Sequence, residues 1–526
     1  MSSNKFMHGS SLLIGDNTIP GVQLPKQLKE HAQIILNVCR DWGLDFYPTV
    51  VQLLTYDEIS EVAAYGGFPV RYPHWSFGMQ YEELQRGYEN QMHKIYEMVI
   101  NTSPCYIYCL DSNTLLDHLT VIAHATGHND FFKNNIHFSA TDTNMLNNMA
   151  NHASRIRKYM ARWGKEKVTE FLDYLLRIDN LIDGASAWHQ KVIKDKNIID
   201  KKNYRFPKRL KVGNDRLYMD SYINTKDFKD KENEKVKDKD LAEELGFFIE
   251  PVKDVFGFLR DNAPLKPWQQ DIMSMIYEES IYFFPQRQTK VLNEGWASMT
   301  DHVIMAEQGY VSLGQKTHDD GIIEYAAHKM GVLGGKYSTN PYKLGYNLLS
   351  DIRKRWDKGQ FGTEWDDCTN STKKENWDTN AKLGKEKIFE VRKYYDDLTL
   401  IHEFFTEDFC REQEYFEYKK YPSGDTILES HEYKKIKKLL MARHVNGGLP
   451  DIRLTEPNYR GKGYLMLEHN YEGRTLYEPY VRDVLCSLRF IWQNDVFLST
   501  KGHDGSEIVF ECFDNDPLNV RIRAKR

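Results

Sequence analysis

The stretch between Ser112 and Asn129 has one fully charged residue, Asp117, and most of its other positions are apolar. Apolar residues that recur every three or four positions predict a helix here. Because a helix that is apolar around most of its circumference has to be buried, this segment is expected to cross the centre of a large core. The helix also carries His124 and His128, whose four-residue spacing puts both imidazoles on one face.

Buried imidazoles need polar partners, and two kinds of partner fit this pair. One is a metal ion held together with a carboxylate, since histidines on one helix face can bind the same ion. The other is an Asp, Tyr or main-chain group in an ordinary core. On these residues alone the two interpretations are equally supported.

A second segment of the sequence favours the metal site over an ordinary core. The predicted helix Lys290–Gln308 contains Asn293-Glu-Gly-Trp-Ala-Ser298 and presents Glu294 and Asp301 near its polar face, with His302 close by. An amphipathic helix with a solvated outer face is the plainer interpretation. We predict a site for one divalent metal, zinc being the ion that suits these ligand types. Its predicted ligands are His124, His128 and Glu294, with Asp301 or His302 in addition.

The two segments resemble the metal helices of gluzincin-type zinc peptidases, in which a similar Asn-Glu-Gly-aromatic-Ala helix carries the third ligand. The resemblance implies a metal-dependent hydrolase. Ala125, however, stands where such peptidases have their general-base Glu, so a base has to come from elsewhere in the chain. Glu279 and His74 are the candidate catalytic residues, because each lies beside aromatic residues that can shift its pKa.

The chain is long enough to divide into several domains, and its character changes along its length. We predict an α+β fold class, with a mainly helical N-terminal and central region that contains the gluzincin-like metal helices. A small ferredoxin-like α+β domain is predicted to follow. The predicted divisions are a helical domain at 1–195, a charged linker or insert at 196–245, a second helical part at 246–357 that packs on the first, a polar linker at 358–389, and the α+β domain at 390–526.

The periodicity also predicts individual elements. Helices are predicted at Lys26–Trp42, Asp57–Tyr65, Tyr81–Asn101, Asn113–Phe132, Asn144–Trp163, Lys165–Ile182, Leu241–Arg260, Trp268–Phe283, Lys290–Gln308 and Gly321–Met330. In the last domain, strands are predicted at Tyr415–Lys419, Asp451–Thr455, Gly463–His469, Asp495–Thr500 and Glu507–Phe513, with helices at His431–Ala442 and Tyr477–Trp492.

Composition limits the binding partners and the cellular location that we expect for this chain. The net charge of −6 gives no overall basic field for nucleic acid. The seven cysteines are odd in number and scattered, which argues against a disulfide scaffold. No signal peptide or window of eighteen apolar residues is found, so we expect a cytoplasmic protein without a membrane span.

The chain as a whole resembles the stage V sporulation protein R family. The resemblance is carried by Gly43-Leu-Asp-Phe-Tyr-Pro48, by the run Gly67–Gly78, by Gly127-His-Asn-Asp-Phe-Phe-Lys-Asn-Asn135, and by the Asn293–Ser298 segment. It implies a role in sporulation, spore cortex formation or a stress response. It also implies two possible partners, a PrkA-type serine protein kinase and a von Willebrand A-like protein. The family pattern has His where this chain has Asp301, so the identity of a fourth ligand stays open between Asp301 and His302.

Three functional hypotheses follow. The first is a metal-dependent hydrolase of amide bonds. The second is a non-catalytic regulatory scaffold that works with the two implied partners. The third is a di-metal carboxylate oxidase that uses Glu97, Glu278, Glu279 and His152 as further ligands, although the usual Glu-x-x-His signature is absent.

Overall fold

The computed structural model describes residues 11–13, 24–89, 97–186, 251–315, 317–334, 340–420, 426–502 and 504–524. These residues form a mixed α+β structure, as predicted, in two compact units. The first unit comprises residues 1–155 and 285–447, and the second comprises residues 156–284 and 448–526. The linker or insert predicted at 196–245 lies outside the described residues, and the predicted division into domains stays a prediction.

The first unit is a helical assembly with a small sheet. The sheet has the strand order Ser11–Leu13, Thr49–Leu54, Cys105–Leu110, Glu97–Ile100, and its two central strands are parallel. The α-helices are Lys26–Asp41, Tyr56–Ala64, Trp75–Glu89, Leu115–Asn134, Met145–Trp163 (which starts in this unit), Lys290–Asp301, His318–Leu333, Pro341–Asp357, Thr363–Asp366, Ser371–Glu375, Gly384–Tyr394, Asp397–Phe404, Glu407–Glu412 and Tyr433–His444. Shorter elements are the 3-10 turns Ile136–Ala140, Tyr310–Ser312 and Val445–Gly448, the π-helix His302–Glu307, and the hairpin Glu417–Lys420 with Thr426–Ser430.

The second unit contains the α-helices Lys165–Ile178, Val255–Asn262, Pro267–Gln288 (which ends in the first unit) and Glu478–Trp492, and the 3-10 turns Asp179–Leu181 and Pro517–Asn519. Its five-stranded sheet has the sequential order Arg521–Ala524, Glu507–Cys512, Val496–Lys501, Tyr464–His469, Ile452–Tyr459. Only the Tyr464–His469 and Val496–Lys501 strands are parallel, and the Glu478–Trp492 helix connects them.

The predicted ferredoxin-like domain is not what this sheet shows. The predicted order of strands and helices is close to the observed one, but the first predicted strand does not join the large sheet. Glu417–Lys420 pairs instead with Thr426–Ser430, a strand that the pattern did not reveal. Alternation along one strand shows which face is buried, whereas the choice of a pairing partner depends on elements elsewhere in the chain.

The predicted helix Tyr81–Asn101 is also only partly right. A helix covers Trp75–Glu89, but Glu97–Ile100 is an edge strand that pairs antiparallel with Cys105–Leu110. Apolar runs of four to six residues fit a buried strand and a piece of helix equally well. This difference matters because it moves Glu97 from a helix to the edge of a sheet.

Two helices of the first unit carry the residues of the candidate site, and each takes its name from those side chains. The histidine helix is Leu115–Asn134, and every residue in it from His118 to Phe132 is buried. The carboxylate helix is Lys290–Asp301, which packs directly against it and is buried from Val291 onward. The burial expected for an apolar helix is therefore observed.

Glycine permits the close approach of these helices. A Cβ added at Gly127 would lie 2.8 Å from the Ala297 Cα of the carboxylate helix. On the other side of that helix, a Cβ at Gly295 would lie 2.4 Å from the main chain of Gly345, in the helix Pro341–Asp357. Any side chain at these positions would push the helices apart, so the small residues fix the distance between them.

Candidate metal centre

Two imidazoles and one carboxylate meet where the histidine and carboxylate helices cross. Potential ligand atoms of His124, His128 and Glu294 all lie within 4.8 Å of one another. The Glu294 Oε2 atom is 3.3 Å from His128 Nε2 and 3.6 Å from His124 Nε2. All three side chains are buried, so this cluster is shielded from bulk water.

The opposite nitrogen of each imidazole is held by an acceptor on the carboxylate helix. His124 Nδ1 is 3.0 Å from Asp301 Oδ2, and His128 Nδ1 is 2.9 Å from Asn293 Oδ1. Because both partners are oxygen acceptors, each Nδ1 carries the hydrogen and donates it. In the neutral imidazole the lone pair then lies on Nε2, the atom that faces the cluster.

The donor set fits a small divalent ion. Tetrahedral zinc with bonds of roughly 2.1 Å separates its ligand atoms by roughly 3.4 Å, close to the two nitrogen–oxygen distances in this cluster. His124 Nε2 and Glu294 Oε2 are buried, and neither makes a hydrogen bond of acceptable geometry to any described residue. Buried polar atoms without a partner are costly, and a shared cation would satisfy both of them.

The charges of the three cluster side chains depend on one another. Burial alone would lower the pKa of His124, but the carboxylates of Asp301 and Glu294 outweigh it and raise that pKa to about 9. Burial alone would raise the pKa of Glu294, yet the imidazoles of His128 and His124, together with Lys290, hold it well below its usual value. A proton on His124 therefore compensates the charge of the buried Glu294 carboxylate.

Asp301, a predicted ligand, reaches the cluster only through the far side of His124. Its carboxylate accepts hydrogen bonds from the Tyr325 hydroxyl at 2.7 Å and from Lys329 Nζ at 2.8 Å. Burial opposes its ionisation, but Lys329 and His124 lower its pKa to about 2. Asp301 is seven residues after Glu294, so it lies on the same face but about 10 Å further along the helix.

His302, the other predicted additional ligand, lies away from the cluster. It is the first residue of the π-helix His302–Glu307, and its Nε2 is 3.8 Å from Glu307 Oε1. Its ring packs edge-on against Tyr346 at 5.5 Å. The carboxylate helix turns by about 100° per residue, so eight positions beyond Glu294 the side chain has left that face.

Among the described residues, the group formed by His124, His128 and Glu294 includes neither of the two predicted catalytic residues. His74 Nδ1 is 2.7 Å from Ser76 Oγ, and its ring packs among Tyr72, Trp75 and Phe77. Glu279 is buried in the second unit. Their proposed roles stay predictions.

Glu97, which the sequence suggested only as a further ligand of a di-metal centre, lies beside the histidines. Glu97 Oε1 is 3.9 Å from His124 Nε2, and the side chain is mostly buried. Burial raises the pKa of Glu97, although the neighbouring imidazoles of His124 and His128 oppose the rise. The edge strand that carries Glu97 was predicted as helix, so its position beside the cluster could not have been inferred from the spacing of residues.

Two more residues border the cluster. Tyr342 stacks on the His124 ring with centroids 6.1 Å apart, and burial followed by the charges of Glu294 and Glu97 raises its pKa. Lys290 Nζ is 2.7 Å from Glu294 Oε1, and just over half of the lysine side chain is exposed. Glu294 therefore offers Oε2 to the cluster while its other oxygen is held by a surface cation.

Comparison with known proteins places this arrangement in a family. The sequence profile described as SpoVR like protein matches residues 23–449, which include the whole cluster and its bordering residues. The chain belongs to the SpoVR family. This finding confirms the resemblance that the sequence motifs indicated.

One curated relative of this SpoVR-family chain is the uncharacterized protein YcgB of Escherichia coli strain K12. The two are 26% identical over 509 residues, covering 90% of this chain and 92% of YcgB. No solved structure shows a significant match. Among the described residues, no helix has both the length and the apolarity needed to cross a bilayer.

Proposed function

We propose that this SpoVR-family protein is a metal-dependent hydrolase in which His124, His128 and Glu294 hold one divalent ion, most suitably zinc. The observation that carries the proposal is the convergence of two Nε2 atoms and one carboxylate oxygen within 4.8 Å. The hydrogen bonds from His124 Nδ1 to Asp301 and from His128 Nδ1 to Asn293 also support the proposal. Metal-binding histidines characteristically donate their other N–H to an oxygen acceptor in this way.

The proposed reaction is the hydrolysis of an amide bond, in sporulation, in the cell envelope or in a stress response. A bound divalent ion would supply Lewis-acid activation of water and of a carbonyl group. Glu97 is our candidate for the base that Ala125 does not provide, because its Oε1 faces the same space as His124 Nε2. Glu97 would accept a proton at Oε1, and its burial favours the proton-holding form that a general base needs after transfer.

The direct test is elemental analysis of purified protein, comparing the natural chain with His128→Ala. We expect about one zinc-like ion per chain in the natural protein and a loss of most of it in the variant, since one of three protein ligands is removed. His402→Ala is the matched control, because His402 is exposed on another helix. Metal absent from all three proteins would contradict the proposal, and two irons per chain would favour the di-metal oxidase.

A regulatory scaffold is the second candidate, and one surface favours it. The helix His318–Leu333 buries Tyr325 and directs Lys329 to Asp301, and it leaves Ile323 at 68% and Met330 at 77% exposure. If this face binds a PrkA-type kinase, Ile323→Glu should weaken co-purification of the kinase without removing metal. Unchanged co-purification would argue against a scaffold role for this face.

A further inference from the structure

Two thiols of the second unit lie in contact. Cys486 is on the helix Glu478–Trp492, and Cys512 is the last residue of the strand Glu507–Cys512. Their Sγ atoms are 3.8 Å apart, and both residues are buried. The pair lies beyond residue 449, where the family match ends, and belongs to a different unit from the candidate metal centre.

Packing of the helix against the sheet produces this contact. Phe510 and Cys512 are two residues apart on their strand, so both side chains lie on the same buried face of the sheet. Cys486 is one of the buried residues of the helix, next to Val484 and Leu485. The main-chain carbonyl of Asp514 accepts from the Cys512 thiol at 3.0 Å and is 3.9 Å from Cys486 Sγ. Residues 513–516, which follow directly, are exposed, so the two sulfurs lie just beneath a surface loop.

We propose that Cys486 and Cys512 form a reversible disulfide when the protein meets a small disulfide oxidant such as glutathione disulfide. The Cys486 thiolate attacks one sulfur of the oxidant, forms a mixed disulfide and releases one glutathione thiolate. The Cys512 thiolate then attacks Cys486 Sγ and releases the second glutathione. Two thiol protons and two electrons leave the protein, and the oxidant is reduced to two thiols.

The environment supports this order of attack. The contact with the Cys512 thiol lowers the pKa of Cys486, which makes Cys486 the first of the two to ionise. The same sulfur–sulfur contact, followed by burial, raises the pKa of Cys512. Forming the bond requires the sulfurs, now 3.8 Å apart, to approach by about 1.8 Å to reach the normal S–S length of roughly 2 Å.

Another pair of cysteines provides an internal comparison. Cys105 and Cys109 are four residues apart on one strand, so their main chains are separated by roughly 13 Å and they cannot join without unfolding. Burial raises the pKa of both thiols. Closeness in sequence therefore does not predict which cysteines can form a disulfide in this chain. The contact between a helix and a strand brings together Cys486 and Cys512 instead.

The test uses the full chain in its folded, reduced state, treated with glutathione disulfide at low protein concentration. Digestion and mass spectrometry should show a peptide joining Cys486 to Cys512, lighter by two hydrogens than its parts and lost after treatment with dithiothreitol. Cys368→Ser is the control, because Cys368 is the more exposed thiol and its removal should leave the linked peptide unchanged. Both cysteines remaining reduced, or cross-links to other cysteines in the folded protein, would overturn the proposal.

Thermal unfolding gives an independent readout. The disulfide would close a loop between positions 26 residues apart and tie the helix to the end of the strand. We expect oxidation to raise the unfolding midpoint of the second unit by on the order of 10 °C, and the rise to be absent in Cys512→Ser. An equal rise in that variant would assign the effect to a different thiol and overturn the proposal, and the mass-spectrometric result stands even if the variant folds poorly.

Discussion

At the scale of single residues, the side chains that hold the imidazoles are as informative as the imidazoles themselves. Asn293 and Asp301 each accept a hydrogen bond from one Nδ1, and both belong to the helix that supplies Glu294. One helix therefore provides a candidate ligand and the orientation of the other two. Asp397 in turn orients this helix, because its carboxylate accepts the N–H groups of Val291 and Leu292 at 2.8 Å, in the helix's first turn.

Asn293→Ala tests the orienting role. It leaves His128 Nδ1 without its acceptor, so the ring is free to rotate or to change tautomer. We expect metal affinity to fall by roughly 10- to 100-fold while the fold is kept. Competition with a chromophoric chelator measures the change, and Asn376→Ala, in an exposed turn, serves as control. Unchanged affinity in the Asn293 variant would mean that its bond to His128 has no part in metal binding.

At the scale of elements, the distance between the histidine and carboxylate helices determines whether the three ligand atoms can share an ion. Gly127→Ala places a methyl group 2.8 Å from the Ala297 Cα and 2.8 Å from Thr300 Oγ1. The main-chain contact can only be relieved by moving a helix. We expect a loss of roughly 1–3 kcal/mol in the free energy of unfolding and weaker metal binding.

Chemical denaturation of metal-free protein measures the stability effect of Gly127→Ala, and Gly331→Ala is the matched control. Gly331 is also in a helix, but nothing lies within 4 Å of a Cβ added there. Since alanine is the better helix former, this control should be neutral or stabilising by up to about 1 kcal/mol. Equal changes in the free energy of unfolding for the two variants would show that the helices can accommodate a methyl group at Gly127.

The sequence predicted features within single elements, but it did not predict how separate elements pack together. Spacing within one helix predicted that His124 and His128 share a face, and the structure has them so. The approach of Glu97 and Tyr342 depends on which strand and which helix pack beside that face, and no local pattern encodes this. The ferredoxin-like assignment was not confirmed for a related reason, because the Glu417–Lys420 strand pairs with a strand that its own sequence does not specify.

At the scale of the whole molecule, the cluster couples stability to pH, and the sign follows from the direction of each pKa shift. His124 has a pKa of about 9 in the folded, metal-free protein against about 6.5 when unfolded. The contribution of His124 to the free energy of unfolding is therefore complete below about pH 6.5 and is lost as the pH rises through 9. Asp301, lowered to about 2, contributes above about pH 4 and loses that contribution as the pH falls through 2.

Metal-free protein should accordingly lose up to about 3 kcal/mol of stability between pH 6.5 and 9, since each pKa unit corresponds to about 1.4 kcal/mol. A metal ion reverses this dependence, because it binds the neutral imidazole and has to displace the proton from His124. The difference in unfolding midpoint between zinc-loaded and chelator-treated protein should therefore widen as the pH rises through this window. Thermal unfolding of both forms at several pH values measures it. A constant difference across the window would mean that zinc does not compete with the His124 proton and so binds elsewhere.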